Sequence, residues 1–229
     1  MIRKALVVIA ALAIAGTAQA AGVNGASVSK DKRTTTAQHG STTLAPAVVP
    51  GGGKMDVIFS NLGFKYPKGY YFCCYGDTIS GPNSQIGSTI WVATQFTPAA
   101  DASVKEIDLG VGWVSGTNKV IINIAEDDGG VPGNVLGSWP ATGLGTFGDC
   151  CQLATATGIK HVKLTAGTPY WIYVSTDDSD SDTWAAWPFN STDETDPMPV
   201  AGYDGTSWTN FGSFPPAMSF AVLGNNTKN

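Results

Sequence analysis

Tyr170-Trp171-Ile172-Tyr173-Val174 is aromatic or β-branched at every position. Such residues fit a pleated, half-buried surface, so this stretch is a strand. Alternation then sorts its side chains. Trp171 and Tyr173 share one face, while Tyr170, Ile172 and Val174 share the other. Both faces are apolar, so the strand needs a core on one side and a second layer or a solvent-facing aromatic surface on the other.

Working outward, Val120-Ile121-Ile122-Asn123-Ile124 and Met218-Ser219-Phe220-Ala221-Val222 alternate or nearly so. Similar segments run from Asp56 to Ser60, Tyr70 to Cys74, Thr89 to Phe96, Val104 to Trp113, Asn134 to Trp139 and Ile159 to Leu164. Turn signals such as Asp128-Gly129-Gly130, Pro132-Gly133-Asn134 and Asp204-Gly205 separate them. No window shows a convincing amphipathic helix. Many short strands at this spacing predict an all-β fold, a two-sheet antiparallel β-sandwich spanning Met55 to Gly224, with a short tail over Asn225 to Asn229.

The 229 residues include 28 Gly and 13 Pro, too few for a low-complexity chain, so most of the sequence is a folded domain. Its first twenty residues are set apart. Arg3 and Lys4 precede an apolar run from Ala5 to Gly16, and Ala18-Gln19-Ala20 offers the small-x-small pattern of a signal peptidase site. Residues 1–20 read as a secretory signal peptide, because an apolar run this short cannot cross a hydrocarbon core of about 30 Å. The expected location is secreted, extracellular or periplasmic, with no transmembrane segment. Ala21 to Lys54, rich in Thr, Ser, Ala and Gly, reads as a flexible spacer, and it places Arg33 and His39 away from any expected site. Net charge is −5, and losing Arg3 and Lys4 makes it more negative, which argues against nucleic acid or an anionic membrane as partner.

Gln95-Phe96-Thr97, Val104 to Leu109, Ile122 to Gly133 and Leu164-Thr165-Ala166-Gly167-Thr168-Pro169-Tyr170-Trp171 together resemble the bacterial "choice-of-anchor" jelly-roll domains. The resemblance covers Ile90 to Gly224 and lies in strand and turn landmarks. It implies a secreted, jelly-roll-like sandwich and assigns no chemistry.

Cys73-Cys74 and Cys150-Cys151 form an even set in a chain expected to be exported, so disulfides are expected. Bonds from one pair to the other are favoured, since bonds within a pair strain the peptide between neighbours. A four-cysteine zinc site lacks its usual two-residue spacing. Asp178, Asp180 and Asp182 crowd one loop and offer oxygen ligands for a structural calcium, the one cofactor suggested. That run has Thr183 and Phe189 where an EF-hand loop has glycine and glutamate, and Asp is also common in plain turns.

Trp184, Trp187, Trp208 and Phe211, with Asp204, lie among Asp, Asn, Ser, Thr and Gly. Flat rings beside carboxylates and amides suit sugar binding, and they equally suit capping the open end of a sandwich. Catalytic signatures are missing from the sequence. It holds no Gly-x-Ser-x-Gly elbow, and His161 is the one histidine beyond the spacer. Glu106, Glu126 and Glu194 show no local pairing pattern, so a glycan hydrolase ranks behind a non-catalytic binder of extracellular carbohydrate. Self-association as a structural or matrix protein, or docking on a neighbouring surface protein, is the alternative.

Overall fold

The computed structural model describes residues 25–37, 55–62, 71, 74–149, 152–177, 181–190, 197–214 and 217–227. The segment 1–20 lies outside them, as do Cys73, Cys150, Cys151, Asp178 and Asp180. Among the described residues the chain is built of β-strands without an α-helix, and every pairing of strands is antiparallel.

The largest sheet has six strands, in the order β15 (Trp208–Phe214), β14 (Met198–Tyr203), β5 (Trp91–Phe96), β12 (Tyr170–Ser175), β8 (Lys119–Asp127) and β9 (Pro132–Thr142). A second runs β1 (Ser27–Val28), β2 (Thr34–Thr36), β4 (Tyr75–Ser80), β13 (Trp184–Pro188) and β7 (Gly112–Ser115). The third runs β10 (Ala154–Ala156), β6 (Ala102–Leu109), β16 (Phe220–Asn226) and β3 (Asp56–Ser60), with β11 (Lys163–Leu164) also paired to β6.

The fold is an all-β sandwich, with one layer divided between two hydrogen-bonded sheets. The second and third sheets are stitched together where Phe189 bridges Met218, Ser219 N donates to Pro188 O at 3.0 Å and the Trp187 indole donates to Ser219 O at 2.9 Å. Both sheets face the six-stranded sheet across one core. Ile79 and Trp187 enter it from one, Ile107, Leu109 and Phe220 from the other, and Ile122, Ile124, Ile172 and Val174 from opposite. A side chain such as Ile172, fully buried, contributes about 1.5–3 kcal/mol over leaving it in water.

Three expectations are corrected. The spacer reading fails over residues 25–37, because β1 and β2 extend the second sheet and pair Thr34 with Asp77. Their Thr-rich sequence is thin in bulk but β-branched, and a sheet edge needs only backbone partners and a few buried atoms. Ile159 to Leu164 is strand only at its end, since Gly158 and His161 both adopt positive φ and hold a turn there. The proposed tail begins inside β16, where Asn226 N donates to Asp56 Oδ2 at 2.9 Å.

Candidate functional site

Trp184 and Trp187 do not contact solvent. Both are fully buried, on opposite faces of β13. Trp187 belongs to the central core, whereas Trp184 packs outward with Ala26, Ala37, Ile86, Val114 and Phe147. Its indole donates to Thr35 Oγ1 at 3.1 Å, and Thr35 in turn shares a hydrogen bond with Thr78 at 2.9 Å. These two tryptophans are therefore removed from the candidate ligand contacts. The loop that carries them in sequence is in fact a central strand of the second sheet.

Trp208, Phe211 and Asp204 stand elsewhere, around the β14–β15 hairpin. Register along β12, β5 and β14 puts Trp171, Tyr173, Trp91 and Tyr203 on the outer face of the six-stranded sheet, and β15 adds Trp208 opposite Tyr203. Ala93, Ala125 and Ala201 lie among them, so the face has room for large rings. Trp171 is fully buried there, its indole donating to Asp127 Oδ1 at 2.7 Å. The others are half-buried and form a row: Tyr173 meets Trp208 edge-on at 5.2 Å, Trp208 meets Tyr203 at 5.4 Å, and Tyr203 stacks on Trp91 at 4.4 Å.

The row ends at a cavity of about 360 Å³, whose wall includes Trp91 and Tyr203. It opens where the second sheet meets the six-stranded one. Arg33, Asp77, Asp204 and Phe211 line it further. Phe211 reaches it by strand alternation, on the same face as Thr209 and opposite to Trp208, beside a slip in the β14–β15 pairing between Val200 and Ala201. Gly202 makes the fit possible, since a Cβ there would strike the Phe211 ring.

Arg33 is held by the β1–β2 turn. Ser29 Oγ donates to Asp31 Oδ1 at 2.6 Å, Arg33 N donates to the same oxygen at 3.2 Å, and Lys32 sits at φ 63°. The guanidinium carbon then lies 3.7 Å above the centroid of Phe211, a cation–π contact. Asp77 projects from β4 on the neighbouring strand. Burial pushes its carboxyl up to about 7, against the pull of the Arg33 charge and with Asp31 adding to the rise. Among the described residues Lys119–Asp177 is the one ion pair, so Arg33 and Asp77 face the same cavity without touching. The Asp77 carboxylate accepts no hydrogen bond there either.

The other two acids at the cavity are occupied. Asp31 serves its own turn, and its carboxyl is lowered first by the Ser29 hydroxyl and then by the Arg33 N–H. Asp204 accepts from Thr206 N at 2.9 Å and Ser207 N at 3.0 Å, and those amides lower it likewise. Of the calcium trio only Asp182 is described. Its Oδ1 accepts from Thr117 N at 2.8 Å, and the described residues include no group of three or more acids, histidines or cysteines placed to hold a metal. Cys74 is half-buried, with Sγ 3.9 Å from Gly148 O, two residues before Cys150 in the sequence.

Sequence reading therefore reached Trp208, Phe211 and Asp204 and missed Arg33, Asp77, Trp91 and Tyr203. Strand alternation pairs Trp91 with Tyr203 only once their register is known, and nothing in the spacer composition marks Arg33. No family model matches the chain, and no curated protein matches it.

Proposed function

We propose that this protein is a secreted, non-catalytic β-sandwich that binds extracellular carbohydrate through the cavity and the aromatic row beside it. What carries the reading is the run of half-buried rings, Tyr173, Trp208, Tyr203 and Trp91, ending at a concave site with unpaired polar groups. Sugar rings present flat C–H faces to aromatics and hydroxyls to carboxylates and guanidinium groups. The cavity volume lies in the small-ligand range, enough for one or two sugar units at the end of a chain lying along the row.

The test is titration of the purified chain with a panel of soluble polysaccharides, neutral and acidic, read by tryptophan fluorescence and repeated with Trp208→Ala and Tyr203→Ala. Saturable binding by the unaltered protein, weakened at least about tenfold in either variant, is expected. A flat response across the panel sinks the reading.

One observation favours self-association as a second reading. Val57 on β3 and Val135 on β9 are exposed, and both strands lie at sheet edges. An open edge with apolar side chains is a template for pairing with another copy. Concentration-dependent oligomers lost on Val57→Lys or Val135→Lys would support it.

A further inference from the structure

We infer that the cavity takes an anionic sugar unit, with its carboxylate or sulfate held by the Arg33 guanidinium and its hydroxyls bonded by Asp77. This rests on the carbohydrate reading and narrows it to a charge class. Its basis is the pair of groups that the fold leaves unspent. Arg33 makes no ion pair among the described residues, and its guanidinium carbon lies 3.7 Å from the centroid of the Phe211 ring. A cation–π contact uses none of the guanidinium N–H donors, and that fork matches two oxygens of a carboxylate or sulfate in parallel hydrogen bonds.

The charge around the site is mixed, with Asp31, Asp77 and Asp204 against Lys32 and Arg33. Asp31 and Asp204 already accept hydrogen bonds within their own turns, so they do not compete for the guanidinium. Lys32 lines the same cavity and adds positive charge at its rim. Of the three acids that line the cavity, Asp77 is the one that no described residue hydrogen-bonds, and it is half-buried on β4. A carboxyl in that position gains two hydrogen bonds by meeting vicinal hydroxyls, the arrangement a pyranose offers beside its charged substituent. A neutral sugar would offer the guanidinium only uncharged hydroxyl acceptors, which bond it more weakly than an anion does. A simple anion without hydroxyls would leave Asp77 unmatched.

The experiment uses the full chain and matched probes: trigalacturonate against its methyl ester, a hyaluronan tetrasaccharide against its methyl ester, and a sulfated galactan tetrasaccharide against its desulfated form. Affinities are measured calorimetrically for the unaltered protein, Arg33→Lys and Arg33→Gln. The charged member of at least one pair should bind about tenfold or more tightly than its neutral partner, as loss of a charged hydrogen-bond pair implies. Arg33→Gln should erase that preference, and Arg33→Lys, which keeps the charge but not the fork, should reduce it. Which pairs show the preference tells carboxylate from sulfate. Neutral members binding as tightly as charged ones, or a preference unchanged in Arg33→Gln, overturns the inference while leaving the carbohydrate reading standing. Failure of every probe overturns the inference, and the response to the wider polysaccharide panel then decides the carbohydrate reading separately.

Discussion

Trp171 donates its indole N–H to Asp127 Oδ1, and the same oxygen accepts from Gln95 Nε2 at 2.8 Å and Gly130 N at 3.2 Å. One carboxylate thus ties β12, β5 and the β8–β9 turn together beneath the aromatic row. Asn210 from β15 also reaches Gly130 O, which draws the hairpin bearing Trp208 down over the outer face.

Replacing Asp127 with Ala strands a buried indole N–H and should lower stability by about 2–3 kcal/mol, measured by urea denaturation. Asp127→Asn keeps an acceptor oxygen and should cost less. Equal losses in the two variants would mean that the indole bond adds little.

Truncation separates the two groups of tryptophans. Trp184→Ala empties a fully buried site and should cost about 3–5 kcal/mol. Trp208→Ala, half-buried, should cost far less and act mainly on glycan affinity. Thermal melts beside fluorescence titrations distinguish them, and a Trp184→Ala protein as stable as the parent would contradict its place in the core.

The strand at Thr34–Thr36 should be required for folding of the second sheet. Thr35→Val removes the acceptor of the Trp184 indole and the partner of Thr78 within a fully buried cluster, a loss of about 1–3 kcal/mol. A chain beginning at Met55 should fall further, because β4 then becomes an open edge and Trp184 is uncovered. Chemical denaturation of the three proteins gives the order, and a truncated chain as stable as the full one would refute it.

Stability should fall as pH rises from about 4.5 to 7. Glu106 and Asp108 lie side by side on β6, both buried, with Glu106 Oε1 and Asp108 Oδ2 lacking partners. Burial, and then the Asp108 charge, pushes the Glu106 carboxyl up to about 7, and burial raises Asp108 as well. The folded chain then holds protons that the unfolded chain has released, so stability is full below the unfolded value and is lost through about 7. Asp77 adds a slope of the same sign. Glu106→Gln, whose amide can donate to Asp108, should flatten the slope and raise the urea midpoint at pH 8. A steeper slope, or a lower midpoint at pH 8, would refute the assignment.

The cysteines give a last expectation. Peptide mapping without reductant should join the Cys73-Cys74 peptide to the Cys150-Cys151 peptide, consistent with Cys74 Sγ lying beside Gly148 O. Reduction should then cost about 4–5 kcal/mol, from the entropy of closing a loop of about 75 residues. Four free thiols in exported protein would exclude the cross-link.

The strands over Asp56–Ser60 and Trp91–Phe96 and the central Tyr170–Ser175 were legible because a period of two and β-branched residues are local properties. The same signal told that Trp171 and Tyr173 share a face. It could not tell which face met the core, and the answer lies in Ala93, Ala125 and Ala201 on neighbouring strands.

Local sequence therefore determined the all-β class, the alternation within strands and the turns at Asp128-Gly129-Gly130 and Asp204-Gly205, since each depends on residues a few positions apart. Pro132-Gly133-Asn134, an expected turn, lies in β9 instead. Tertiary structure alone decided that Trp184 and Trp187 are core, that a Thr-rich stretch supplies a strand, and that Arg33 lies over Phe211 across 178 positions of chain. Those outcomes depend on strand register and on which sheet each strand joins. Pairing between distant strands sets both, and no window of sequence contains them.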